Sequence, residues 1–184
     1  MSNDFNFCPK CKSDKIEFSK NRWFCPDCKM VLYNNVAAAV GVIIKDSENN
    51  YLFEVRMKDP KKGMLTIPGG FVNADECAED AIIRECQEEI GLTIEKPEFI
   101  RSFPNTYEYK DFVYKTCDLF FMLKLPSKYK NLYELLPDLT AEEDEVQNFK
   151  VIKINSADDV DALPIAFDST IKILKYTAGE KNGK

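Results

Sequence analysis

Gly70-Phe-Val-Asn-Ala-Asp-Glu76, followed after seven residues by Arg84-Glu85-Cys86-Gln87-Glu88-Glu89-Ile90-Gly91-Leu92, is the stretch whose reading decides the fold. Its pattern predicts a helix over residues 76–90, stopped by Gly91, the residue type that most readily turns left-handed at a helix end. On that helix Glu85, Glu88 and Glu89 stand at i, i+3 and i+4, so three carboxylates share a face. At 100° per residue Ala78, Ala81 and Ile82 fall on the same side, with Asp80, Arg84 and Gln87 roughly opposite. Each such like-charge pair costs about 0.2–0.5 kcal/mol in an isolated helix. Carboxylates beside a core-facing stripe demand cationic partners. Hard oxygen donors favour Mg²⁺ or Mn²⁺. The plain alternative is a solvated acidic helix. Against it stand the helical-wheel position and the Pro68-Gly69-Gly70 turn, whose glycines let backbone approach ions, the Gly69 carbonyl being a further candidate ligand. Two readings of Glu76 stay open, a site acid or a capping box with Asn73.

Outward from this segment, Val36-Ala-Ala-Ala-Val-Gly-Val-Ile-Ile44 reads as a buried strand, Asn49-Asn50 as a turn and Tyr51 to Val55 as a second strand. Asp59-Pro-Lys-Lys-Gly63 is a polar loop. Strand-like runs follow at Phe112 to Leu125 and Val146 to Ile154, and a last helix near Ser169 to Tyr176. Strands, helix, strands, helix is the order of an α+β fold, not of a doubly wound parallel sheet.

Hydrophobic residues make up 45% of the 184, enough for a core, and no run approaches the ~18 apolar residues of a membrane span. The polar N-terminus lacks the layout of a secretory signal, so the expectation is a cytoplasmic protein with no membrane partner. The net charge of -6 disfavours nucleic acid as a partner, because phosphate affinity comes mainly from Lys and Arg. If the partner is a phosphate compound, a divalent metal is the natural source of positive charge. The chain has no histidine, which leaves carboxylates, thiolates or hydroxyls to carry any chemistry.

Residues 1–35 differ in texture from the rest. Cys8-Pro-Lys-Cys11 and Cys25-Pro-Asp-Cys28 are two CxxC pairs with 13 residues between them. Two such knuckles form the closed four-thiolate cage that structural Zn²⁺ prefers. A disulfide pair fits poorly in a chain without a secretion signal, and a redox CxxC poorly where no βαβ context surrounds it. Cys77, Cys86 and Cys117 follow no pattern and read as ordinary thiols. The expected organisation is a zinc ribbon over 1–35 and a second domain over 36–184.

The carboxylate segment resembles the Nudix box, G-x5-E-x7-R-E-U-x-E-E-x-G-U, where U is a bulky aliphatic residue. Gly70, Glu76, Arg84, Glu85, Glu88, Glu89, Gly91 and Leu92 match, and Cys86 stands at the first aliphatic position. The likeness covers about residues 36 to 178 and implies an α/β/α sandwich with a mixed sheet. It also implies hydrolysis of a nucleoside diphosphate linked to another group, by water activated on carboxylate-held Mg²⁺ or Mn²⁺. Carried over by position, Glu85 and Glu89 lead as metal ligands. Glu88 is a further ligand or positions water, Arg84 orients the glutamates, and Glu76 supports that arrangement. Members often use another acid outside the box, for which Glu145 in the run Glu142-Glu-Asp-Glu145 is the candidate, against a solvated acidic loop. Arg56 is a candidate phosphate contact, with Gly69 and Gly70 on the same cofactor side. Lys58, Lys61 and Lys62 read as a solvated loop. Relatives of this kind are often homodimers.

A zinc ribbon ahead of such a domain is similar to the NADH pyrophosphatase architecture. The substrate signature of that group, S-Q-P-W-P-F-P-x-S, is replaced here by Ser102-Phe-Pro-Asn-Thr-Tyr107-Glu-Tyr109, so NADH is not implied. Tyr107 and Tyr109 could stack on a nucleobase or line one sheet face. Three functions remain in view: a dinucleotide or nucleotide-sugar pyrophosphatase, a nucleoside-triphosphate-sanitising enzyme, and a non-catalytic ligand sensor with a nucleic-acid- or protein-binding ribbon. Retention of Glu85, Glu88 and Glu89 together favours catalysis.

Overall fold

A computed structural model describes residues 5–110 and 112–179. The chain divides into two units, Met1–Val36 and Ala37–Lys184.

The first unit is a three-stranded antiparallel sheet, β1 (Glu17–Ser19), β2 (Arg22–Phe24) and β3 (Val31–Tyr33), in the order β1-β2-β3. Trp23 is buried against Phe18, with ring centroids 5.0 Å apart. Its cysteines occupy two loops of matching geometry. The Lys12 N–H bonds back to Cys8 O and the Lys29 N–H to Cys25 O, and Lys12 and Lys29 both take positive φ, 63° and 61°. Each loop thereby turns its thiols inward. The four sulfurs lie within 4.8 Å of one another, with Cys8–Cys28 and Cys11–Cys25 at 3.6 Å. A tetrahedron with Zn–S bonds of about 2.3 Å has edges of about 3.8 Å, so the cage has the dimensions of a four-thiolate zinc site. A disulfide needs about 2.05 Å, and all seven cysteines are free.

The second unit is built on β4 (Ala37–Lys45), β5 (Asn50–Arg56), β6 (Leu65–Thr66), β7 (Glu98–Tyr109), β8 (Phe112–Lys124) and β9 (Val146–Lys153). The sheet runs β6-β5-β4-β8-β7, with β9 on the other edge of β5. It is mixed, because β4 and β8 pair in parallel over nine residues while the other pairings are antiparallel. Side chains alternate faces along a strand. Accordingly Val40, Val42 and Ile44 of β4 join Leu52, Phe121 and helix α1 (Ala78–Ile90) in one core. Ile43, Tyr51, Phe53, Val55 and Phe120 join helix α4 (Asp168–Thr177) in the other. The short helices α2 (Leu132–Leu135) and α3 (Ala157–Asp161) close the α1 side and the α4 side respectively. The result is the expected α/β/α sandwich.

One irregularity positions the site. β4 meets β5 only at Lys45↔Tyr51, and the strands then diverge. The segment after β6 fills the gap: Val42 N–H bonds Pro68 O, Val40 N–H bonds Gly70 O and Val72 N–H bonds Ala38 O. Gly69, at φ 146°, lies so close to β4 that a Cβ there would sit 2.1 Å from Val40 O. At Gly70 a Cβ would sit 2.5 Å from a Glu85 carboxylate oxygen. The glycines of the turn are thus the contact surface between the sheet and the acidic helix.

Gly69→Ala therefore has to displace the β4 backbone. It is expected to cost more than ~1 kcal/mol and to lower Tm by at least ~2–4 °C, measurable by calorimetry. Elemental analysis of the purified full chain is expected to find about one zinc per chain, falling well below that in Cys11→Ser. A folded, metal-free first unit would contradict the zinc assignment.

Candidate functional site

Helix α1 begins at Ala78 and ends at Gly91, which is left-handed at φ 67° with Leu92 N–H bonded back to Cys86 O. Ala81, Ile82, Cys86 and Ile90 are fully buried. Glu89 lies on the same stripe and is only 6% exposed. Its Oε2 accepts the Gly69 N–H at 2.6 Å. Glu85 is mostly buried under Gly70.

Arg84 holds the acids in place. Its Nε and Nη2 donate to the two Glu76 oxygens at 2.8 and 3.0 Å, its Nη1 donates to Glu85 at 2.7 Å and Glu88 at 2.8 Å, and Nη2 also reaches Phe71 O at 3.1 Å. A guanidinium has five N–H donors, and these five bonds use them all. The helical-wheel reading set Arg84 roughly opposite the glutamates; the structure corrects this, since Arg84 and Glu88 are an i,i+4 pair about 40° apart on the helix and the guanidinium reaches both Glu85 and Glu88. The Arg84 fork also holds the Glu76 carboxyl far down, at about 2, helped by the Asn73 N–H.

The capping-box reading of Glu76 is corrected as well. The helix starts after Cys77, so Asn73 is no N-cap. Asn73 N–H instead donates to Glu76 Oε2 at 3.0 Å, bracing the carboxylate that grips Arg84.

A cavity of about 260 Å³ opens in front of Glu85 and Glu89. Arg56, Lys58, Gly69, Gly70 and Glu145 also line it. Glu145 arrives because the loop before β9 is tied to the C-terminus of α1: Thr140 N–H bonds Ile90 O and Glu142 N–H bonds Glu89 O, satisfying carbonyls the helix leaves open. The loop is further tied where Met57 N–H bonds Glu145 O. Lys58, expected in a solvated loop, instead forms an ion pair with Glu145. Arg56 donates to Pro60 O and covers the Phe167 ring at 5.0 Å. Glu88 is not brought into the cavity; its carboxylate is 51% exposed and held by Arg84.

Burial drives the carboxyls of Glu89 and Glu85 upward, Glu54 adding to the rise at Glu89. Glu54, in the middle of β5 and 2% exposed, was not singled out from sequence. Burial pushes it up to about 8, against the pull of Arg56 and with Glu145 and Glu85 adding to the rise. The readable signal was a carboxylate inside the apolar run Tyr51 to Val55, since such a residue is almost never fully buried without a partner. A set of buried, mutually repelling carboxylates suits a divalent cation.

The far side of the cavity is an aromatic wall that sequence reading saw only in part. Tyr107 lies between Phe71 and Phe167, at centroid distances of 5.5 and 5.7 Å. Tyr109 is exposed and outside the lining. Asp118, 8% exposed, accepts the hydroxyls of Ser169 and Thr116 at 2.5 Å each. An acid within the run Phe112 to Leu125 was its only signal. Aromatic walls with a few convergent polar groups are the usual make-up of a small-molecule pocket.

No helix of the described residues is long and apolar enough to cross a membrane. Comparison with known proteins agrees with the geometry. A segment of 65 residues is 46% identical to the ADP-ribose pyrophosphatase of Methanocaldococcus jannaschii, covering 35% of this chain and 37% of that protein. A segment of 107 residues is 29% identical to the NAD-capped RNA hydrolase NudC of Vibrio parahaemolyticus, covering 56% of this chain and 40% of that one. The chain thus spans well under half the length of these curated relatives. Among solved structures, a NUDIX hydrolase from Nitrosomonas europaea superposes with a TM-score of 0.66 at 22% identity, over 97% of this chain and 93% of that one, a likeness of fold. The profile of the NUDIX domain matches residues 36–170. With the carboxylate helix, the glycine turn and the sandwich in place, the chain belongs to the NUDIX family.

Proposed function

We propose that this chain is a Mg²⁺- or Mn²⁺-dependent pyrophosphatase that cleaves the diphosphate linkage of a nucleoside diphosphate joined to a further group, of the ADP-ribose, dinucleotide or nucleotide-sugar type. The observation that carries the reading is the joining of two half-sites in one cavity. Glu85 and Glu89 face it from α1, and the Phe71, Tyr107 and Phe167 rings face it from the sheet and α4 side. One half suits a cation on a diphosphate, the other a planar base. The two relatives' names point the same way, since ADP-ribose and an NAD cap both carry adenosine on a diphosphate.

In this reading residues 1–35 form a zinc-braced ribbon and 36–184 the hydrolase domain. Glu85 and Glu89 are the cation ligands, with Glu145 supplying a further oxygen from its loop. When bound, the cation polarises phosphoryl oxygens and lowers the pKa of the attacking water. Arg84 and Glu76 fix the direction of Glu85, and the Gly69 N–H fixes that of Glu89. Gly70 leaves room for Glu85 to turn toward the cavity. Glu88, reached only through Arg84, positions its neighbours and the solvent side of the site. Arg56 and Lys58 supply positive charge for the diphosphate, and Tyr107 and Phe167 hold the base. Phosphoryl transfer needs mainly such positioning and charge stabilisation. Free thiols throughout accord with a cytoplasmic setting, and homodimeric assembly is part of the same proposal.

Glu89→Gln is expected to lower Mg²⁺-dependent turnover by more than ~100-fold while leaving the circular dichroism spectrum unchanged. Retained turnover would refute the role assigned to Glu89. The substrate class is tested by a Mg²⁺ panel of ADP-ribose, NAD⁺, NADH, nucleotide sugars, dinucleoside polyphosphates and nucleoside triphosphates. Highest kcat/KM on a diphosphate-linked compound is expected; preference for a triphosphate would move the chain to the sanitising enzymes, and no hydrolysis at all would favour a sensor.

A further inference from the structure

Glu54 is the one acid of this region for which the carboxylate helix gives no account. It sits in the middle of β5, a strand whose residues Asn50 to Val55 are all buried. Alternation along the strand puts it on the same face as Leu52 and Arg56. Leu52 belongs to the core that holds α1, and Arg56 lines the cavity. Its cross-strand partner on β6 is Thr66, which also lines the cavity, and its partner on β9 is Phe149, packed on the α1-side core. The carboxylate is therefore directed to the α1 side, beneath the lining and next to the Thr66 that belongs to it. Its repulsion with Glu89, Glu85 and Glu145 agrees with that placement.

At that position its Oε1 is buried and has no hydrogen-bond partner among the described residues. A buried, unpartnered carboxylate oxygen is a strongly unfavourable feature for a fold to retain. A hydrophobic residue would fit between Leu52 and Phe149 without that cost. A cation bound at the site would compensate the oxygen, and the neighbouring acids favour a cation over a neutral or anionic group.

We propose that Glu54 is an oxygen ligand of the divalent-cation site, supplied from strand β5 beneath the helix that carries Glu85 and Glu89. This rests on the cation-dependent reading above and adds a donor that lies outside the matched helix segment. The donor set then comes from α1, from the loop before β9 and from the sheet itself. Such a set surrounds the cation instead of offering it one helix face, which suits ions that take six or more oxygens. It also ties the cation to a strand whose residues Asn50 to Val55 are all buried.

The test is Mn²⁺ binding to the full, zinc-loaded chain, followed by loss of the free-ion EPR signal, with thermal melts taken with and without Mg²⁺. Glu54→Gln is nearly isosteric and removes the charge. It is expected to weaken Mn²⁺ binding by ~10–100-fold and to shrink the Mg²⁺-induced rise in Tm, while melting no lower than the parent in the absence of divalent ions. Mn²⁺ affinity within twofold of the parent, with an unchanged Mg²⁺-induced rise, would overturn the proposal. If Glu54→Gln does not fold, Glu54→Asp is read the same way, because withdrawing the oxygen by one methylene must also weaken binding; equal affinity overturns it. Glu89→Gln in the same titration separates the two readings. Loss in Glu89→Gln with none in Glu54→Gln sinks only the role of Glu54, whereas a parent chain that binds no Mn²⁺ sinks both.

Discussion

The structure around the site depends on one guanidinium. Glu85, Glu88 and Glu89 crowd a single helix face, and Glu76 approaches from the loop before it. Arg84 spends all five of its donors on Glu76, Glu85, Glu88 and Phe71 O. Set against that, the helix itself is secure. Full burial of Ile82 and Ile90 contributes about 1.5–3 kcal/mol each, well above the few tenths of a kcal/mol of each like-charge helix pair. The apolar stripe anchors the helix, and the arginine decides which way its acids point. Glu89 escapes the arginine and is held by the Gly69 N–H instead. The most buried acid of the helix is thereby tied to the sheet.

That tie explains the split between β4 and β5. If the two strands paired along their length, no backbone would be left to meet the helix. Their divergence after Lys45↔Tyr51 admits residues 68–72, which pair with β4 and present the glycines to Glu85 and Glu89. The same logic brings in Glu145. The open carbonyls at the end of α1 capture the loop before β9, so satisfying a helix terminus also delivers an acid to the cavity. Backbone hydrogen bonding and site assembly are here one requirement.

Much of this was legible because it is local. The helix, its glycine stop and the burial of Glu85 and Glu89 follow from a 3.6-residue period. That Arg84 orients the glutamates is implied by its motif position; only its place on the wheel was set wrongly, because i and i+4 positions lie about 40° apart and Arg84 therefore adjoins Glu88. Asn73 looked like a cap because its distance to Glu76 is right; the helix starts later because Asp75 is left-handed at φ 65° and Cys77 is extended at ψ 161°. Lys58 looked solvated because its partner, Glu145, lies 87 positions away. Glu54 and Asp118 were visible only as acids within apolar runs, and a run does not say which face an acid takes or what it meets there.

The sequence by itself determined the two chemical units, four thiols in paired knuckles and a set of carboxylates on one helix, because each is set by spacing within a short contiguous segment. The left-handed stop at Gly91 and the α+β order belong with them. Only the tertiary structure decided which acids meet. It separated Glu88 from Glu85 and Glu89, brought Glu145 to them, placed Glu54 on the same side of the sheet, and built an aromatic wall from Phe71, Tyr107 and Phe167. Those residues come from segments tens of positions apart, and no period or local propensity relates them. Their convergence is fixed by how the sheet divides and where its helices bury their apolar stripes.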